Sequence, residues 1–514
     1  MTIAKAEKTN LFITFYDVAK AYDRADVDNM LHVIWNAGLR GKVWRILKNL
    51  TTNLTAAIKT RHGPSRQIKR CTGGKQGSRI MGRLFSKQMD TLSEEFIEKK
   101  NDENFQINPE LSIGCLEWVD DVSTITKGLK NQHKVLKIVD DFAKKNKLEW
   151  GESKCQVMQV GKKVVVPNKW KLGDKTISNT ASYKYLGDIV TNDNKNKKNL
   201  ESKENKVEAT VRQINMTASS DIMRGVEARV ILILFEKSIV PSLTSNCESW
   251  TLSSVEEKQI DDIGIKALKR LFSLQTTTPN TAVIYNFGQL YMTQEVDKKR
   301  FMFLHKILSR DNAHWTKKML LHLQSQNLGW AKKTMEKLSE YGLVTDWEAI
   351  KTQTKGQWKN VVGKAVDEFN KKKMIENCLA TTAEETRVKT KTKHIHQQLT
   401  NSSIYDRKPV NIVINGNKER AKTLILARHG MLECGVNFKG TMAQKCHPCG
   451  TDDDENHRLN TCVMYNDTNR ANDPLKSSFE HVYNDDNDTV NRILNDIQKV
   501  WELRYANGRM KKPT

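Results

Sequence analysis

The sequence contains no apolar run that approaches the ~20 residues a helix needs to cross a bilayer. Residues 1–10 mix Lys5, Glu7 and Lys8 with small residues and lack the apolar centre of a secretory signal. The 9 cysteines in 514 residues are too sparse for a disulfide framework, and their odd number agrees with a reducing compartment. We therefore expect no membrane partner, and a location in the nucleus or cytoplasm rather than secretion.

Positive charge is in large excess. The chain has 84 Lys and Arg against 60 Asp and Glu, which gives a formal net charge of +24. Its 11 Trp, 14 Phe and 11 Tyr exclude a wholly disordered polymer. Such a charge favours a polyanionic partner, and nucleic acid is favoured over a membrane surface because no basic amphipathic anchor stands out.

Three regions differ in their sequence pattern. Residues 1–190 alternate β-like apolar runs with amphipathic helices, which predicts an α+β domain. Residues 191–400 are rich in charge and carry helical spacing, and residues 401–514 contain a short Cys/His cluster over 446–462. We expect an α+β domain, a helical region and a small metal-binding module, in that order.

Local patterns predict several elements within these regions. Residues 11–15 form an apolar run typical of a strand, and apolar residues at helical spacing over 27–34 predict a helix that Gly38 ends. The spacing over 228–239 predicts a richer amphipathic helix that ends near Pro241.

Two acidic features end apolar runs in the first region. Asp17 follows the strand at 11–15, and the pair Asp120-Asp121 divides a segment, 113–126, that predicts two short strands. Carboxylates beside apolar residues are unfavourable unless a cation neutralises them, and Mg²⁺ prefers such hard oxygen ligands. The alternative is a solvated turn, because adjacent Asp residues also occur by chance.

A basic, glycine-containing segment lies between the two acidic features. In Gly73-Gly74-Lys75-Gln76-Gly77 the backbone can approach a ligand closely, and Gln76 could hydrogen-bond a base or sugar. The stretch around it has no acid, which fits a track for a phosphate backbone and also fits a solvated basic loop. Its basic residues are Lys59, Arg61, Arg66, Lys69, Arg70, Lys75, Arg79 and Arg83.

The order of these features resembles the successive palm motifs of reverse transcriptases. The run from Asp17 to Asp23 is followed by Lys75-Gln76-Gly77 and then by Val119-Asp120-Asp121. Two further motifs follow in the family's order, residues 148–158 with Lys154, and Tyr183-Lys184-Tyr185-Leu186-Gly187. The similarity is closest to the polymerases of non-LTR (LINE-type) retrotransposons.

The resemblance implies catalytic roles for the matching residues. Asp17 and Asp120 would ligate two Mg²⁺ ions. Asp121 would lie beside them, at a position where the requirement for a carboxylate is less strict. Lys154 matches the lysine that protonates the departing pyrophosphate.

It also implies roles in substrate binding. Tyr22 matches the aromatic residue that blocks a 2′-hydroxyl and so selects deoxynucleotides, although a core aromatic would suit the same position. Gln76 and Gly77 match the turn that contacts the template and the incoming nucleotide. The predicted primer grip, which positions the primer end, consists of Tyr185, Leu186 and Gly187.

The chain departs from the family pattern at three motifs. Trp118-Val119 replace the usual Tyr or Phe and Ala before the Asp pair, Met81-Gly82 replace a Ser-Pro, and Gly151 replaces an Asn. Only 16 residues precede Asp17, too few for the fingers region that grips the triphosphate. The resemblance therefore predicts a right-hand polymerase palm with its fingers largely missing, in an N-terminally truncated copy.

The C-terminal cluster has the spacing Cys446-x2-Cys449-x7-His457-x4-Cys462. Two thiolates on a tight turn and a distant His/Cys pair are what a closed tetrahedral Zn²⁺ site needs, so we predict a structural zinc knuckle. The alternative is four unrelated residues. The resemblance agrees, because LINE-type proteins commonly carry a CCHC cluster after a helical thumb and linker.

The function implied is RNA-directed DNA polymerisation by a retrotransposon protein. A dNTP would be added to a primer 3′-hydroxyl on an RNA template, by two-metal nucleotidyl transfer. Its partners would be an RNA template, a DNA primer or target and dNTP, in an oligomeric state that the sequence leaves open. The competing interpretation is a catalytically decayed or truncated remnant that binds nucleic acid without catalysis.

Overall fold

The computed structural model describes residues 1–52, 54–69, 73–74, 77–98, 104–162, 164–218, 226–381, 386–402, 407–429 and 431. These residues divide into two compact units. The N-terminal unit comprises Met1–Asn199 and Asp311–Lys332, and the second unit comprises Leu200–Arg310 and the described residues from Lys333 onward. Among the described helices, none is long and apolar enough to cross a membrane.

The strands are short, and all but the last two belong to the N-terminal unit. They are β1 (Asn10–Asp17), β2 (Thr55–Ala56), β3 (Lys59–Thr60), β4 (Gly63–Pro64), β5 (Ile68–Lys69), β6 (Phe105–Asn108), β7 (Leu111–Ile113), β8 (Cys115–Trp118), β9 (Asp121–Lys127), β10 (Gln156–Gly161), β11 (Lys169–Leu172), β12 (Lys175–Asn179), β13 (Ser182–Tyr185), β14 (Asp188–Thr191), β15 (Leu379–Thr381) and β16 (Thr386–Val388).

Helices occur throughout the described chain and dominate the second unit. They are α1 (Thr2–Ala6), α2 (Ala21–Arg24), α3 (Val27–Asn36), α4 (Gly41–Thr51), α5 (Arg79–Glu98), α6 (Leu129–Lys145), α7 (Lys197–Ala218), α8 (Ala228–Leu234), α9 (Val240–Leu243), α10 (Ser254–Leu271), α11 (Asn280–Phe287), α12 (Met292–Leu308), α13 (Trp315–Ser325), α14 (Gly329–Glu340), α15 (Trp347–Lys351), α16 (Lys355–Cys378), α17 (Lys393–Asn401), α18 (Asn411–Ile414) and α19 (Lys418–Arg428).

A six-stranded sheet organises the N-terminal unit, with the strand order β11-β12-β10-β1-β9-β8. Its centre is β1, which pairs antiparallel with β10 on one side and with β9 on the other. The register of the second pairing sets Asp17 opposite Asp121, and β8 then pairs antiparallel with β9. The mixed α and β class predicted for this region is confirmed.

Both faces of β1 are buried, which explains why its sequence is a continuous apolar run. Successive side chains of a strand point to opposite faces. Phe12 and Tyr16 accordingly belong to a core that includes Phe85 of α5 and Phe142 of α6, whereas Leu11, Ile13 and Phe15 belong to a separate core on the other face with Phe105 and Met158. A strand held on two faces and two edges fixes the position of the carboxylate at its end.

A buried polar network crosses the first of these cores. The amide of Gln132 on α6 donates to the hydroxyl of Thr14 on β1 (2.7 Å) and accepts from the hydroxyl of Thr126 on β9 (2.8 Å). All three residues are buried. Because a buried hydroxyl without a partner is costly, this amide ties the two strands that carry Asp17 and Asp121 to one helix.

The second unit is mainly helical and has its own core. Its helix α10 begins with a capping box, in which Ser253 accepts from the N–H of Glu256 and the Glu256 carboxylate accepts from the N–H of Ser253. Farther on, Phe272 stacks on Phe287 with ring centroids 4.1 Å apart.

The helix predicted over 228–239 is observed, and it ends at Leu243, two residues beyond Pro241. The helical path runs through α8, a π-helical turn at Phe235–Ile239 and α9, which ends at Leu243. Proline is tolerated in the first turn of a helix because the N–H it lacks there has no intrahelical partner. The π turn separates α8 from α9, so Pro241 lies at the start of a new α-helical segment.

We predict that Gln132→Leu destabilises the N-terminal unit, because Thr14 and Thr126 then lose the amide that pairs their hydroxyls. Each unpaired buried hydroxyl should lower the free energy of unfolding by about 1–3 kcal/mol. Urea unfolding measures the change. The matched control is Lys130→Leu on the exposed side of the same helix. An equal effect of both substitutions would contradict the role assigned to the network.

Candidate active site

Three carboxylates meet where β1 ends and the β8–β9 hairpin turns. Asp17 is the last residue of β1 and Asp121 the first of β9, directly opposite it in the register, while Asp120 occupies the turn. Trp118 pairs with Asp121, so the hairpin loop consists of Val119 and Asp120 alone. All three predicted catalytic carboxylates are therefore brought to one edge of the sheet by strand pairing.

The hairpin loop has an unfavourable backbone. Val119 has a φ of +61°, in the left-handed region that β-branched residues rarely adopt. This conformation costs about 1–2 kcal/mol for an L-residue. Outliers of this kind persist where the surrounding structure determines them, and they cluster at functional sites. The neighbouring Trp118 side chain is 66% exposed, so it is not packed into the core.

The carboxylates repel one another. Burial raises the pKa of Asp121, and the negative charges of Asp120 and Asp17 raise it further, whereas Lys154 opposes the shift. The ammonium of Lys154 lies 3.1 and 3.2 Å from the two carboxylate oxygens of Asp17. Lys154 thus partly balances the acids, and the raised pKa of Asp121 reflects its burial together with the repulsion that remains.

Lys154 is positioned through its backbone. It ends a short 3₁₀ turn, Glu152–Lys154, that follows Gly151, and the N–H of Gly151 donates to the carbonyl oxygen of Asp17 at 2.8 Å. The hydroxyl of Tyr183 donates to the carbonyl oxygen of Lys154 at 2.7 Å. A Cβ added at Gly151 would lie 3.4 Å from the Asp17 carbonyl oxygen and from Oδ2. The Cβ of the Asn that the family pattern has there would be in van der Waals contact with this carboxylate.

The predicted primer grip is the turn of the β13–β14 hairpin. Its two loop residues, Leu186 and Gly187, have φ values of +48° and +90°, the primed-turn geometry that suits a two-residue hairpin. Tyr185 contacts Phe15 of β1, with ring centroids 5.5 Å apart, and its hydroxyl lies 3.5 Å from the Ser123 hydroxyl. Aromatic packing therefore anchors the hairpin on the strand that carries Asp17.

Tyr183 was not among the predicted site residues, although it holds both the hairpin and Lys154. Its ring stacks on Phe15 with centroids 4.2 Å apart and planes at 5°. Burial, first of all, raises the pKa of Tyr183, so its hydroxyl stays a hydrogen-bond donor. The signal available in the sequence was the alternation of Tyr183 and Tyr185, which places both rings on one face of a strand.

Tyr22 is placed on α2 with its ring against Phe85, at a centroid distance of 5.9 Å. Burial and the charge of Asp120 raise the pKa of Tyr22. Its carbonyl oxygen accepts from the N–H of Gly74 at 2.7 Å. A Cβ at Gly73 would lie 2.3 Å from the Asp23 carbonyl oxygen, so only glycine fits this approach. The glycine turn is thus packed against the segment that carries Tyr22.

The predicted nucleotide and basic residues are only partly within the described chain. Gly77 is described, with a φ of +82°, whereas Gln76, Lys75, Arg70 and the side chain of Arg79 lie outside the described residues. The basic residues that are described are exposed, on the small strands β3 and β5, the loops beside them and α5. They are Lys59, Arg61, Arg66, Lys69 and Arg83.

The donor set suits a hard divalent cation, although the side chains are not arranged as a finished site. In the described part of the chain, no group of three or more His, Cys, Asp or Glu side chains is placed to hold a metal ion. The carboxylate of Asp17 is instead paired with Lys154. Burial and the repulsion between the carboxylates raise the pKa of Asp121, and a divalent cation between Asp17, Asp120 and Asp121 would relieve the repulsion. The predicted zinc ligands Cys446, Cys449, His457 and Cys462 lie outside the described residues.

Residues 1–190 match the family described as "Reverse transcriptase (RNA-dependent DNA polymerase)". No curated protein matches the chain.

Solved structures similar to the chain include three telomerase structures from Candida species. One is telomerase from Candida albicans in complex with a TWJ fragment of telomeric RNA, at 10% identity and a TM-score of 0.32, covering 77% of this chain and 50% of that one. The corresponding complex from Candida tropicalis has 14% identity, a TM-score of 0.28 and coverages of 78% and 51%. Apo telomerase from Candida tropicalis has 13% identity and a TM-score of 0.30, and the match covers 79% of this chain and 55% of that one. The chain thus spans about half the length of these proteins.

We predict that the repulsion at the carboxylates appears in the pH dependence of stability. Because the pKa of Asp121 is raised in the folded state, its charge destabilises the fold above that pKa, and the penalty is lost as the pH falls through it. Without divalent cations, Asp121→Asn should therefore be more stable than the wild type at neutral pH, and the difference should shrink on acidification.

Urea unfolding at several pH values measures this difference, with Asp174→Asn in the exposed β11–β12 turn as the control. Glu117, whose pKa burial raises to about 7, contributes equally to all three proteins and cancels. A pH profile of Asp121→Asn that runs parallel to the wild-type profile would contradict the account.

Proposed function

We propose that the chain, whose residues 1–190 match the reverse transcriptase family, is an RNA-directed DNA polymerase of a non-LTR retrotransposon. It would extend a primer on an RNA template with dNTPs. The observation that supports this most strongly is the pairing of Asp17 with Asp121 across β1 and β9, with Asp120 in the adjoining turn. The order of the five sequence motifs supports the retrotransposon lineage.

The reaction requires the primer 3′-oxygen to attack the α-phosphorus of the dNTP while the bond to the bridging oxygen of pyrophosphate breaks. Asp17, Asp120 and Asp121 would hold two Mg²⁺ ions, which supply activation of the 3′-hydroxyl and charge stabilisation of the pyrophosphate. The carboxylates themselves are fixed by strand pairing before substrate arrives, so the site needs little reorganisation at this edge.

Lys154 and Tyr22 would act on the incoming nucleotide. The ammonium of Lys154 lies at the carboxylate of Asp17, and a triphosphate bound there would offer it a second anionic partner. It could then give a proton to the departing pyrophosphate. Tyr22, held by Phe85, would occupy the space of a 2′-hydroxyl and so favour deoxynucleotides. The turn at Leu186 and Gly187 would position the primer end.

We extend the proposal to the rest of the chain. The N-terminal unit would supply the palm, and the helical second unit would supply a thumb and linker. The CCHC spacing from Cys446 to Cys462 supports a zinc knuckle that grips template or target nucleic acid. The net charge of +24 supports nucleic acid as the partner throughout.

One observation favours a second candidate function, a protein that binds nucleic acid without catalysis. The ammonium of Lys154 pairs with the carboxylate of Asp17, which is one of the three proposed metal ligands. The departures Trp118-Val119 and Met81-Gly82 from the family pattern agree with a relaxed requirement for catalysis. The two functions differ in one measurable property, incorporation of nucleotides.

We predict Mg²⁺-dependent extension of a primer on an RNA template by the purified chain, and none by an Asp120→Asn/Asp121→Asn double variant. The reason is that the double variant removes two of the three carboxylate charges that would hold Mg²⁺ while preserving side-chain shape. Gel analysis of the extended primer measures the result, and the binding of primed template by both proteins is the control. Absence of extension by both proteins, with binding intact, would leave the non-catalytic function as the correct one.

A further inference from the structure

A second positively charged surface lies on α3 and α4, outside the carboxylate site. The sequence contains no Asp or Glu between Asp28 and Asp90. Within this interval, α4 carries Lys42, Arg45 and Lys48 and buries only Thr51. Because this helix packs so little against the rest of the protein, its basic residues are available for an external anionic partner.

Two tryptophans and two cations form a continuous ladder on this surface. The guanidinium of Arg40 lies 5.1 Å from the centre of the Trp35 ring, and the ammonium of Lys48 lies 5.2 Å from the Trp44 ring. The two indoles meet edge to face, with centroids 5.0 Å apart and planes at 72°. We call Trp35, Arg40, Trp44 and Lys48 the indole ladder.

The ladder is ordered but remains accessible. The indole N–H of Trp44 donates to the carbonyl oxygen of Leu31 at 3.3 Å, which fixes that ring on α3. The Trp35 side chain is 36% exposed. Among the described residues, neither Arg40 nor Lys48 has a carboxylate partner, so each cation rests on a ring. Indole rings with adjacent unpaired cations have the composition of surfaces that bind single strands.

We propose that the indole ladder is a stacking platform for single-stranded nucleic acid. Bases would stack on Trp35 and Trp44, and Arg40 and Lys48 would move from the ring faces to the adjoining phosphates. An exposed cation–π contact is weaker than the stacking of a base on an aromatic ring, so a base competes successfully for the indole. The cations then gain phosphate partners.

The exposed basic residues on and beside β3 and β5 would contact the phosphates of the bound nucleic acid beyond the indole ladder. Lys59 of β3 and Lys69 of β5 are exposed, and the loops beside them expose Arg61 and Arg66. This proposal rests on the proposed function in one respect, which is the assignment of the bound nucleic acid as template or primer. Binding itself requires no catalysis.

The alternative occupant of this surface is an acidic protein segment, because α4 also exposes Val43, Ile46 and Leu50. The absence of Asp and Glu between Asp28 and Asp90 fits either partner, nucleic acid or an acidic protein segment. The aromatic pair distinguishes them, since stacking needs the flat face of a base and an acidic polypeptide has none. An oligonucleotide without bases therefore provides the decisive comparison.

The test measures binding of the full chain to a short fluorescent single strand, oligo(dT) or oligo(rU), and to an abasic oligonucleotide of equal length. The variants are Trp35→Ala, Trp44→Ala and the conservative Trp35→Phe, with Trp315→Ala as control, an exposed tryptophan on α13 of the same unit. Each alanine variant should lose roughly 5- to 150-fold in affinity for the base-containing strands. Affinity for the abasic strand should stay unchanged in every variant.

The remaining outcomes are equally decisive. Polyglutamate serves as a further probe, in place of an acidic protein segment. If the alanine variants lose as much affinity for the abasic strand or for polyglutamate as for the base-containing strands, the surface is purely cationic or binds protein, and the proposal is overturned. Unchanged affinity of both alanine variants for the base-containing strands would overturn it as well. Quenching of the wild-type tryptophan fluorescence by oligo(dT) but not by the abasic strand supports stacking without any substitution. The Asp120→Asn/Asp121→Asn variant should bind the strands like the wild type, so a failure of catalysis is distinguishable from a failure of the platform.

Discussion

The antiparallel register between β1 and β9 is the constraint on which the rest of the N-terminal unit depends. It places Asp17 directly opposite Asp121. The register cannot slip by one residue, because Phe12 and Tyr16 would exchange faces with Leu11 and Phe15 and both cores would be lost. The hydrophobic cores thus enforce the meeting of the carboxylates.

The elements around these carboxylates position Lys154 and Tyr183 beside them. Lys154 lies at Asp17 because the backbone of Gly151 hydrogen-bonds to β1 and because Tyr183 holds the Lys154 carbonyl. Tyr183 in turn stacks on Phe15 of the same strand. The predicted primer grip and the predicted general acid are therefore attached to the strand that ends in the first carboxylate. The remaining repulsion, felt at Asp121, suits a divalent cation.

The elements that the sequence predicted best are those with strong local patterns. The strand over 11–15 and the helix over 27–34 correspond to β1 and α3, because unbroken apolar runs and helical spacing report burial directly. Carboxylates that follow such runs could be assigned to one site through their motifs.

Tertiary features were not predictable in the same way. The left-handed backbone of Val119 opposes the preference of valine, and the stack of Tyr183 on Phe15 joins residues far apart in the chain. The helical continuation past Pro241 depends on a π turn that no local pattern shows. The inclusion of Asp311–Lys332 in the N-terminal unit likewise depends on long-range packing.

The central claim is that the carboxylates at the end of β1 and in the β8–β9 turn hold a divalent cation. The most direct measurement replaces Mg²⁺ with Fe²⁺ and maps where locally generated hydroxyl radicals cut the backbone. Our account predicts cleavage near Asp17 and near Asp120-Asp121, suppressed by excess Mg²⁺ and lost in Asp17→Asn. Absence of cleavage at these positions, or cleavage there that excess Mg²⁺ leaves unchanged, would contradict it.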